Sequence, residues 1–175
     1  SITLNTKAIT LLAMAVAAMR SSGLLTTLME AADDKALAPL VHFEQELNIA
    51  PDPIRRLSVV ANAECASSLR LSKADAKKWA MLREEVGSTK SAAHLGYRYN
   101  ANSASDILLL RAALLETPLQ RKQIEDTVKG EQAVFPIKAA DLKGVEGRAL
   151  GVKLRELEQR WIVSEFTLAR EDLLN

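Results

Sequence analysis

Hydrophobic residues recur every three or four positions along most of this chain, the spacing that places them on one face of an α-helix. The first such stripe runs from Leu4 to Met19 and the last from Leu150 to Ile162. Between them, similar apolar faces predict helices within residues 24–28, 37–47, 54–69, 73–82 and 107–115. No segment shows the sustained alternation of a half-buried strand. The sequence therefore predicts an all-α fold, an irregular multi-helix bundle without a sheet.

Several predicted helices begin at a capping residue. Asp52 precedes Pro53, and this pair marks a helix start because Asp accepts a backbone N–H whereas proline needs none at the first position. Ser72, Ser103 and Thr117 stand in similar positions, each with an acid or amide three residues later. These residues predict three further helix starts.

Two features predict the core. The segment Ile107–Leu115 is apolar on every side except at Arg111, which is typical of a helix at the buried centre of a bundle. Trp161 falls on the leucine stripe of the last long helix, so it is predicted to be a core residue.

Composition limits the function classes. The chain has 175 residues, and its net charge is only +1. A dedicated nucleic-acid binder is usually far more basic, so any RNA contact must use a local basic face. One cysteine, Cys65, and two histidines, His42 and His94, are too few for a closed Cys/His zinc site.

Cysteine usage fits a reducing cytosol, and the longest apolar stretch, Leu11–Met19, is too short to span a bilayer. We therefore expect a cytoplasmic protein without a membrane partner.

The common catalytic motifs are absent from the sequence. It contains no Gly-rich phosphate loop, no HExxH and no CxxC. Neighbouring carboxylates such as Glu84 and Glu85 point in different directions on a helix, so they indicate a solvated face. No catalytic or metal-ligating residue is predicted.

The segment from Phe135 to Phe166 carries the most distinctive order of residues. It contains Phe135-Pro136, Asp141-Leu142, glycines at 144, 147 and 151, a leucine-rich stretch at 154–157, and Trp161-Ile162 before Phe166. This order resembles the C-terminal signature of class II tRNA nucleotidyltransferases, the family of CCA-adding enzymes and poly(A) polymerases, and especially its alphaproteobacterial members. The turn after Asp141 is shorter than the common family form and lacks its Pro-Gly-Pro.

Upstream stretches agree with the same resemblance. Residues 19–29, Phe43-Glu44, Asp52–Leu57 and Leu69–Ser72 look like the family's neck and body helices. The resemblance implies residues 1–130 as a neck and body bundle and 131–175 as a tail segment. The family's catalytic head, which holds Mg²⁺ and uses CTP or ATP, has no counterpart here, and the chain starts without Met. We therefore expect a fragment that is inactive alone and contains no cofactor.

The resemblance also implies a partner, a tRNA or another RNA 3′ end, to which the parent protein adds CCA or poly(A). The candidate RNA-binding residues are basic side chains in two groups. The first lies around the last long helix, and the second includes two flanking tyrosines, Tyr97 and Tyr99. The candidates are Lys143, Arg148, Lys153, Arg155 and Arg160 in the first group, and Lys90 and Arg98 in the second.

Other interpretations stay open. Glu156 and Glu158 interleave with the basic residues, so the last helix could present only a mixed solvated face. The alternative function is a helical protein-interaction or regulatory module without an RNA role. A helix-turn-helix DNA binder is a third idea, and near-neutral charge and the lack of a basic recognition helix oppose it.

Overall fold

The computed structural model describes Ala18, Met19, Ser21 and the ranges 34–61 and 71–175. The predicted helices at 4–19 and 24–28 lie almost entirely outside these residues, as does Cys65. The helix predicted over 54–69 ends earlier than predicted, at Val60, because Ala61 is extended. Within the described ranges the structure is helical and has no strand, which confirms the all-α prediction. No helix there has the length and apolarity needed to cross a membrane.

The described ranges contain eight α-helices and one turn of 3₁₀-helix. These are α1 (Leu37–Glu46), α2 (Pro53–Val60), α3 (Lys73–Val86), α4 (Ala92–Arg98), α5 (Ala101–Leu114), α6 (Arg121–Gln132), the 3₁₀ turn (Ala139–Asp141), α7 (Gly147–Val163) and α8 (Arg170–Leu174).

Two of the four predicted caps are confirmed. The Asp52 carboxylate accepts the Arg55 N–H at 2.7 Å, and the Ser72 hydroxyl accepts the Asp75 N–H at 3.1 Å. The other two predictions are wrong. Helix α5 begins before Ser103, whose N–H donates instead to the Asn100 side chain at 2.7 Å. Helix α6 begins at Arg121, after a non-helical segment that contains Thr117.

The chain forms two compact units. The first comprises residues 1–89 and 105–122, and the second comprises 90–104 and 123–175. This division differs from the predicted boundary after residue 130. The physical reason is that α4 packs its Tyr97 ring against Trp161 of α7, at 5.5 Å between centroids. Helix α4 therefore belongs with the C-terminal helices.

Helix α5 supplies the centre of the first unit, as the sequence predicts. Ile107, Leu109 and Leu110 are fully buried, and Ala113 is 7% exposed. The prediction fails only at Leu115, which follows the end of the helix and is 55% exposed.

The one charged residue within this apolar segment, Arg111, has a structural use. Its guanidinium donates to the carbonyl oxygens of Glu85 and Val86 and to the Ser88 hydroxyl. The carbonyls in the last turn of a helix have no partner inside that helix. Arg111 thus donates hydrogen bonds to carbonyl oxygens at the end of α3. Burial lowers the pKa of the Arg111 guanidinium, and the nearby Glu85 carboxylate opposes this shift.

A buried group of charged side chains lies between α1, α2, α3 and α5. Its centre is Arg55, 2% exposed, which binds Glu44 at 2.6 Å and also donates to Asp106. Arg56 binds the other Glu44 oxygen at 2.6 Å. Lys78 joins Asp106 at 2.9 Å and Asp52 at 2.8 Å. We call these six residues the Arg55 cluster.

The Arg55 cluster corrects the predicted inward face of α2. The sequence pattern predicts Ile54, Leu57, Val60, Ala61 and Leu69 as the inward face. Ile54 and Ala61 are buried as predicted, and Leu69 lies outside the described residues. The structure also buries Arg55, Ser58 and Val59, while Leu57 and Val60 stay partly exposed. The helix is rotated so that Arg55 meets the carboxylates of two other helices.

The outer part of this cluster makes the stability of the first unit depend on pH. Burial would raise the pKa of Asp52, but hydrogen bonds from Lys78 and the Arg55 N–H hold it below its usual value. Burial would lower the pKa of Lys78, but Asp106 and Asp52 raise it. The Asp52 contribution is therefore present above about pH 3.9 and lost as pH falls through its lowered value. The Lys78 contribution is present below about pH 10.4 and lost as pH rises through its raised value.

A Lys78→Met variant tests this pH dependence. The loss of unfolding free energy relative to wild type should be constant from about pH 5 to 9 and should shrink below about pH 4, as Asp52 becomes protonated in the wild type. Urea unfolding at a series of pH values measures it. Lys77→Met is the matched control, because Lys77 is exposed and makes no ion pair with a described residue. An equal effect of both variants at every pH would contradict the prediction.

Aromatic and aliphatic side chains form the core of the second unit. Trp161 is 4% exposed, which confirms its predicted core position. Its ring lies 5.5 Å from Phe135 and 4.8 Å from Phe166, between centroids. Ile137, Leu157 and Leu173 are buried in the same core. Phe135, Leu157, Trp161 and Phe166 of the motif thus have a direct packing role.

Two glycines allow α4 and α6 to approach closely. A Cβ at Gly96 would lie 2.0 Å from the Thr127 carbonyl oxygen, and one at Gly130 would lie 1.9 Å from the Ala93 carbonyl oxygen. Real Cβ atoms do not approach a backbone oxygen so closely, so these positions in the two helices require glycine.

Gly96→Ala should therefore lower the unfolding free energy by about 1–3 kcal/mol, because the helices must separate to admit one methyl group. Gly151→Ala is the control. Gly151 also lies inside a helix, but nothing is within 4 Å of its Cβ position. Alanine there should stabilise the protein by about 0.5–1 kcal/mol, its helix preference over glycine. Thermal melts of both variants decide the matter, and two shifts of the same sign would refute the close-approach argument.

Candidate RNA-binding surface

The first group of candidate residues is positioned by a turn that leads into α7. Gly144 and Gly147 have φ angles of 79° and 58°, in the left-handed region that favours glycine. The predicted tight turn is therefore present at these two residues. Gly151, predicted with them, lies within α7 in open space and serves neither a turn nor close packing.

Asp141 fixes the turn from the other side. Its carboxylate accepts the Lys138 N–H at 2.7 Å and binds the Arg170 guanidinium at 2.7 Å. The bond from Arg170 is the main cause that lowers the Asp141 pKa, with the Lys138 N–H next. These two contacts leave Asp141 engaged within the second unit.

The start of α7 has charged side chains of both signs around it. Its N-cap residue is Glu146, whose carboxylate makes no capping hydrogen bond, and the first turn contains no acidic residue. The unpaired N–H groups at a helix N-terminus carry a partial positive charge. Lys143 and Arg148, both exposed, flank this end, and neither pairs with an acidic side chain among the described residues.

Three of the seven candidates meet at one groove of about 840 Å³. Lys143, Arg148 and Lys153 line it, together with Asp141 and Glu156. Lys153 and Glu156 pair with each other at 3.2 Å and stay 44% and 57% exposed. Apolar residues line the rest of the groove: Leu142, Val145, Ala149, Val152 and Leu174.

The other two candidates on α7 lie outside the groove lining. Arg155 is exposed and has no acidic partner among the described residues. It follows Arg148 by seven residues, so both lie on nearly the same side of the helix. Arg160 is exposed and donates to the Asp172 carbonyl oxygen at 3.4 Å. It follows Lys153 by seven residues, so Lys153 and Arg160 lie on nearly the same side of α7, a different side from that of Arg148 and Arg155.

The second candidate group is not an aromatic platform. Tyr97 packs against Trp161 and Phe166, and its hydroxyl donates to Glu158. Burial and this bond raise the pKa of Tyr97 to about 12. Lys90 precedes α4 and is partly buried, whereas Arg98 ends α4 and is exposed. Neither lines the groove beside α7.

Sequence reasoning missed the apolar part of the groove. Val152 is 51% exposed and Leu174 is 37% exposed. A signal for Val152 was available, since it falls on the opposite side of α7 from the Leu154, Leu157 and Trp161 stripe. Leu174 comes from a separate helix, and only the fold brings it beside α7.

The described ranges hold no group of three or more His, Cys, Asp or Glu side chains arranged to bind a metal ion. Comparisons with protein-family models, curated proteins and solved structures gave no match.

Proposed function

We propose that this chain is the RNA-binding helical portion of a tRNA nucleotidyltransferase, one that extends RNA 3′ ends by CCA or poly(A) addition. The order of residues from Phe135 to Phe166 suggests the family. In this proposal the chain grips the RNA body, and the chemistry, with Mg²⁺ and CTP or ATP, belongs to a catalytic head of the parent protein.

One observation carries the proposal. Lys143, Arg148 and Arg155 are exposed around the N-terminal half of α7, and none has an acidic partner among the described residues. A surface cation held by a carboxylate has little charge to offer a phosphate, whereas an unpaired one attracts it. Long basic side chains beside an uncapped helix start suit contacts to the phosphate backbone, which position RNA without reading its bases.

Binding of a folded tRNA to this chain tests the proposal. Affinity should be insensitive to the presence of the 3′ CCA and should fall with salt at a slope of about −0.9 per phosphate contact. The variant with Lys143, Arg148 and Arg155 all changed to Gln should bind more weakly, with a slope reduced by up to about 2.7. Filter binding at several salt concentrations measures both quantities.

A matched control removes the same charge elsewhere. Lys73, Lys77 and Lys129 are exposed lysines on α3 and α6. Changing all three to Gln should leave the slope and the affinity nearly unchanged if the contacts are local. Equal losses in both triple variants would mean only nonspecific attraction. No measurable tRNA binding at low salt would remove the RNA role from this chain.

A further inference from the structure

The groove beside α7 has an apolar floor that phosphate contacts do not explain. Val152 and Leu174 expose 51% and 37% of their surface in or beside it. Leu142, Val145 and Ala149 complete the apolar lining. Phosphate and ribose groups are polar and gain little from aliphatic side chains. An exposed apolar strip with charged edges is typical of a protein-binding surface.

The charges around this floor are not balanced. Each of the two carboxylates in the lining has a cationic partner, Arg170 for Asp141 at 2.7 Å and Lys153 for Glu156 at 3.2 Å. Lys143 and Arg148 line the same groove without an acidic partner among the described residues. The edge near the start of α7 therefore carries two cations, Lys143 and Arg148, against the single carboxylate of Glu146, which makes no capping hydrogen bond.

The groove extends along α7 for about two helical turns. Arg148, Val152 and Glu156 are four residues apart in turn and extend about 12 Å along α7 at 1.5 Å per residue. Anchors at positions i, i+4 and i+7 of a partner helix span about 10.5 Å, nearly the same length. A helix in a hydrophobic groove is held by such a row of apolar anchors, while charged residues on its flanks fix its orientation.

We propose that this groove binds an acidic amphipathic helix of a partner protein. Its apolar face packs on Val145, Val152 and Leu174, and its carboxylates pair with Lys143 and Arg148. The inference goes beyond the proposed RNA role and does not depend on it. Because RNA phosphates would use the same two cations, a bound acidic helix would compete with RNA at this surface.

The probe for this inference is a synthetic 18-residue helical peptide with leucines at positions i, i+4 and i+7 and glutamates on both flanks. A second peptide replaces every glutamate with lysine and keeps the leucines. Methyl NMR spectra of the isotope-labelled chain report the site. The acidic peptide should shift the methyl signals of Val145, Val152 and Leu174, and should bind at least about tenfold more tightly than the basic peptide. The exposed Val128 and Val163 lie outside the groove lining, so their signals should not move.

Two variants locate the binding. Val152→Asp places a negative charge on the groove floor and should weaken the acidic peptide at least about tenfold. Val163→Asp makes the same change on the same helix at a residue that is 72% exposed and outside the groove, and should have no effect. Both residues are on the surface, so both variants should keep the helical spectrum of the wild type.

Several outcomes would overturn the inference. These are equal binding of the two peptides, shifts that spread to Val128 and Val163, or no shifts at millimolar peptide. Folded tRNA is tested on the same labelled chain. If tRNA shifts the methyl signals of Val152 and Leu174, the groove binds RNA. That result would support the RNA proposal and overturn this inference. If tRNA does not bind at all but the acidic peptide does, the RNA proposal fails and this inference stands.

Discussion

Replacement of Arg55 by methionine should lower the unfolding free energy of the first unit by about 3–5 kcal/mol. The guanidinium is 2% exposed, and its partners Glu44 and Asp106 are 1% and 8% exposed. Methionine fills a similar volume, so the cost arises from carboxylates that stay buried with fewer partners. Arg56 and Lys78 still contact them, which favours the lower part of the range.

Companion variants separate charge from packing. Arg56→Met removes one contact to Glu44 and should cost less than Arg55→Met. A double variant that adds Asp106→Asn to Arg55→Met should recover part of the loss, since Glu44 keeps Arg56 and Lys78 keeps Asp52 as ion-pair partners. Lys77→Met removes an exposed cation of the same unit that makes no ion pair with a described residue, and it should change stability by no more than about 0.5 kcal/mol. Urea unfolding is followed by the fluorescence of Trp79, which lies in the first unit, with Trp161 changed to Phe in every protein. If Arg55→Met and Lys77→Met unfold alike, Arg55 does not hold the unit together.

Replacement of Trp161 by alanine should lower the unfolding free energy of the second unit by about 3–5 kcal/mol. The indole is 4% exposed and contacts three aromatic rings, those of Tyr97, Phe135 and Phe166. Each favourable ring pair adds about 0.5–1.5 kcal/mol beyond the burial of area. Its loss also leaves a cavity that these rings fill only in part.

Trp161→Phe should keep part of the ring contacts and cost less than Trp161→Ala. Val163→Ala, two residues later in the same helix, should have almost no effect because Val163 is 72% exposed. Thermal unfolding by circular dichroism gives the stability order, and the Leu157 and Leu173 methyl signals report the core directly. A Trp161→Ala protein as stable as Val163→Ala would exclude the indole as the centre of this core.

The features that the sequence predicted correctly arise from residues close together in the chain, although two other local features, the caps at Ser103 and Thr117, were predicted wrongly. The period of the leucines identified α5 and α7 and placed Trp161 in a core. The caps at Asp52 and Ser72 are local hydrogen bonds over three residues, and both were found. The turn at Gly144 and Gly147 is local in the same way.

Features that depend on distant parts of the chain were missed. Apolar periodicity treats an arginine as a surface residue, and nothing near Arg55 indicates that Asp106, 51 positions later, will share its site. Gly96 and Gly130 look like ordinary weak points in two helices until those helices are placed side by side. In the candidate site, Lys143, Arg148 and Lys153 were predicted because they are neighbours in sequence. The groove they line was not predicted, because Leu174 completes it from α8.

The close approach at Gly96 and Gly130 also implies a type of bond between α4 and α6 that sequence patterns do not reveal. A Cβ built at Gly96 would lie 2.0 Å from the Thr127 oxygen, and one built at Gly130 would lie 1.9 Å from the Ala93 oxygen. Because a Cα–Cβ bond is about 1.5 Å long, each glycine Cα is no more than about 3.5 Å from a carbonyl oxygen of the other helix, within the range of a Cα–H···O hydrogen bond. The Gly96 Cα–H donates to the Thr127 oxygen, and the Gly130 Cα–H donates to the Ala93 oxygen. Together they fix the axial register of the two helices, because a slide by one residue would bring a side chain to each crossing position.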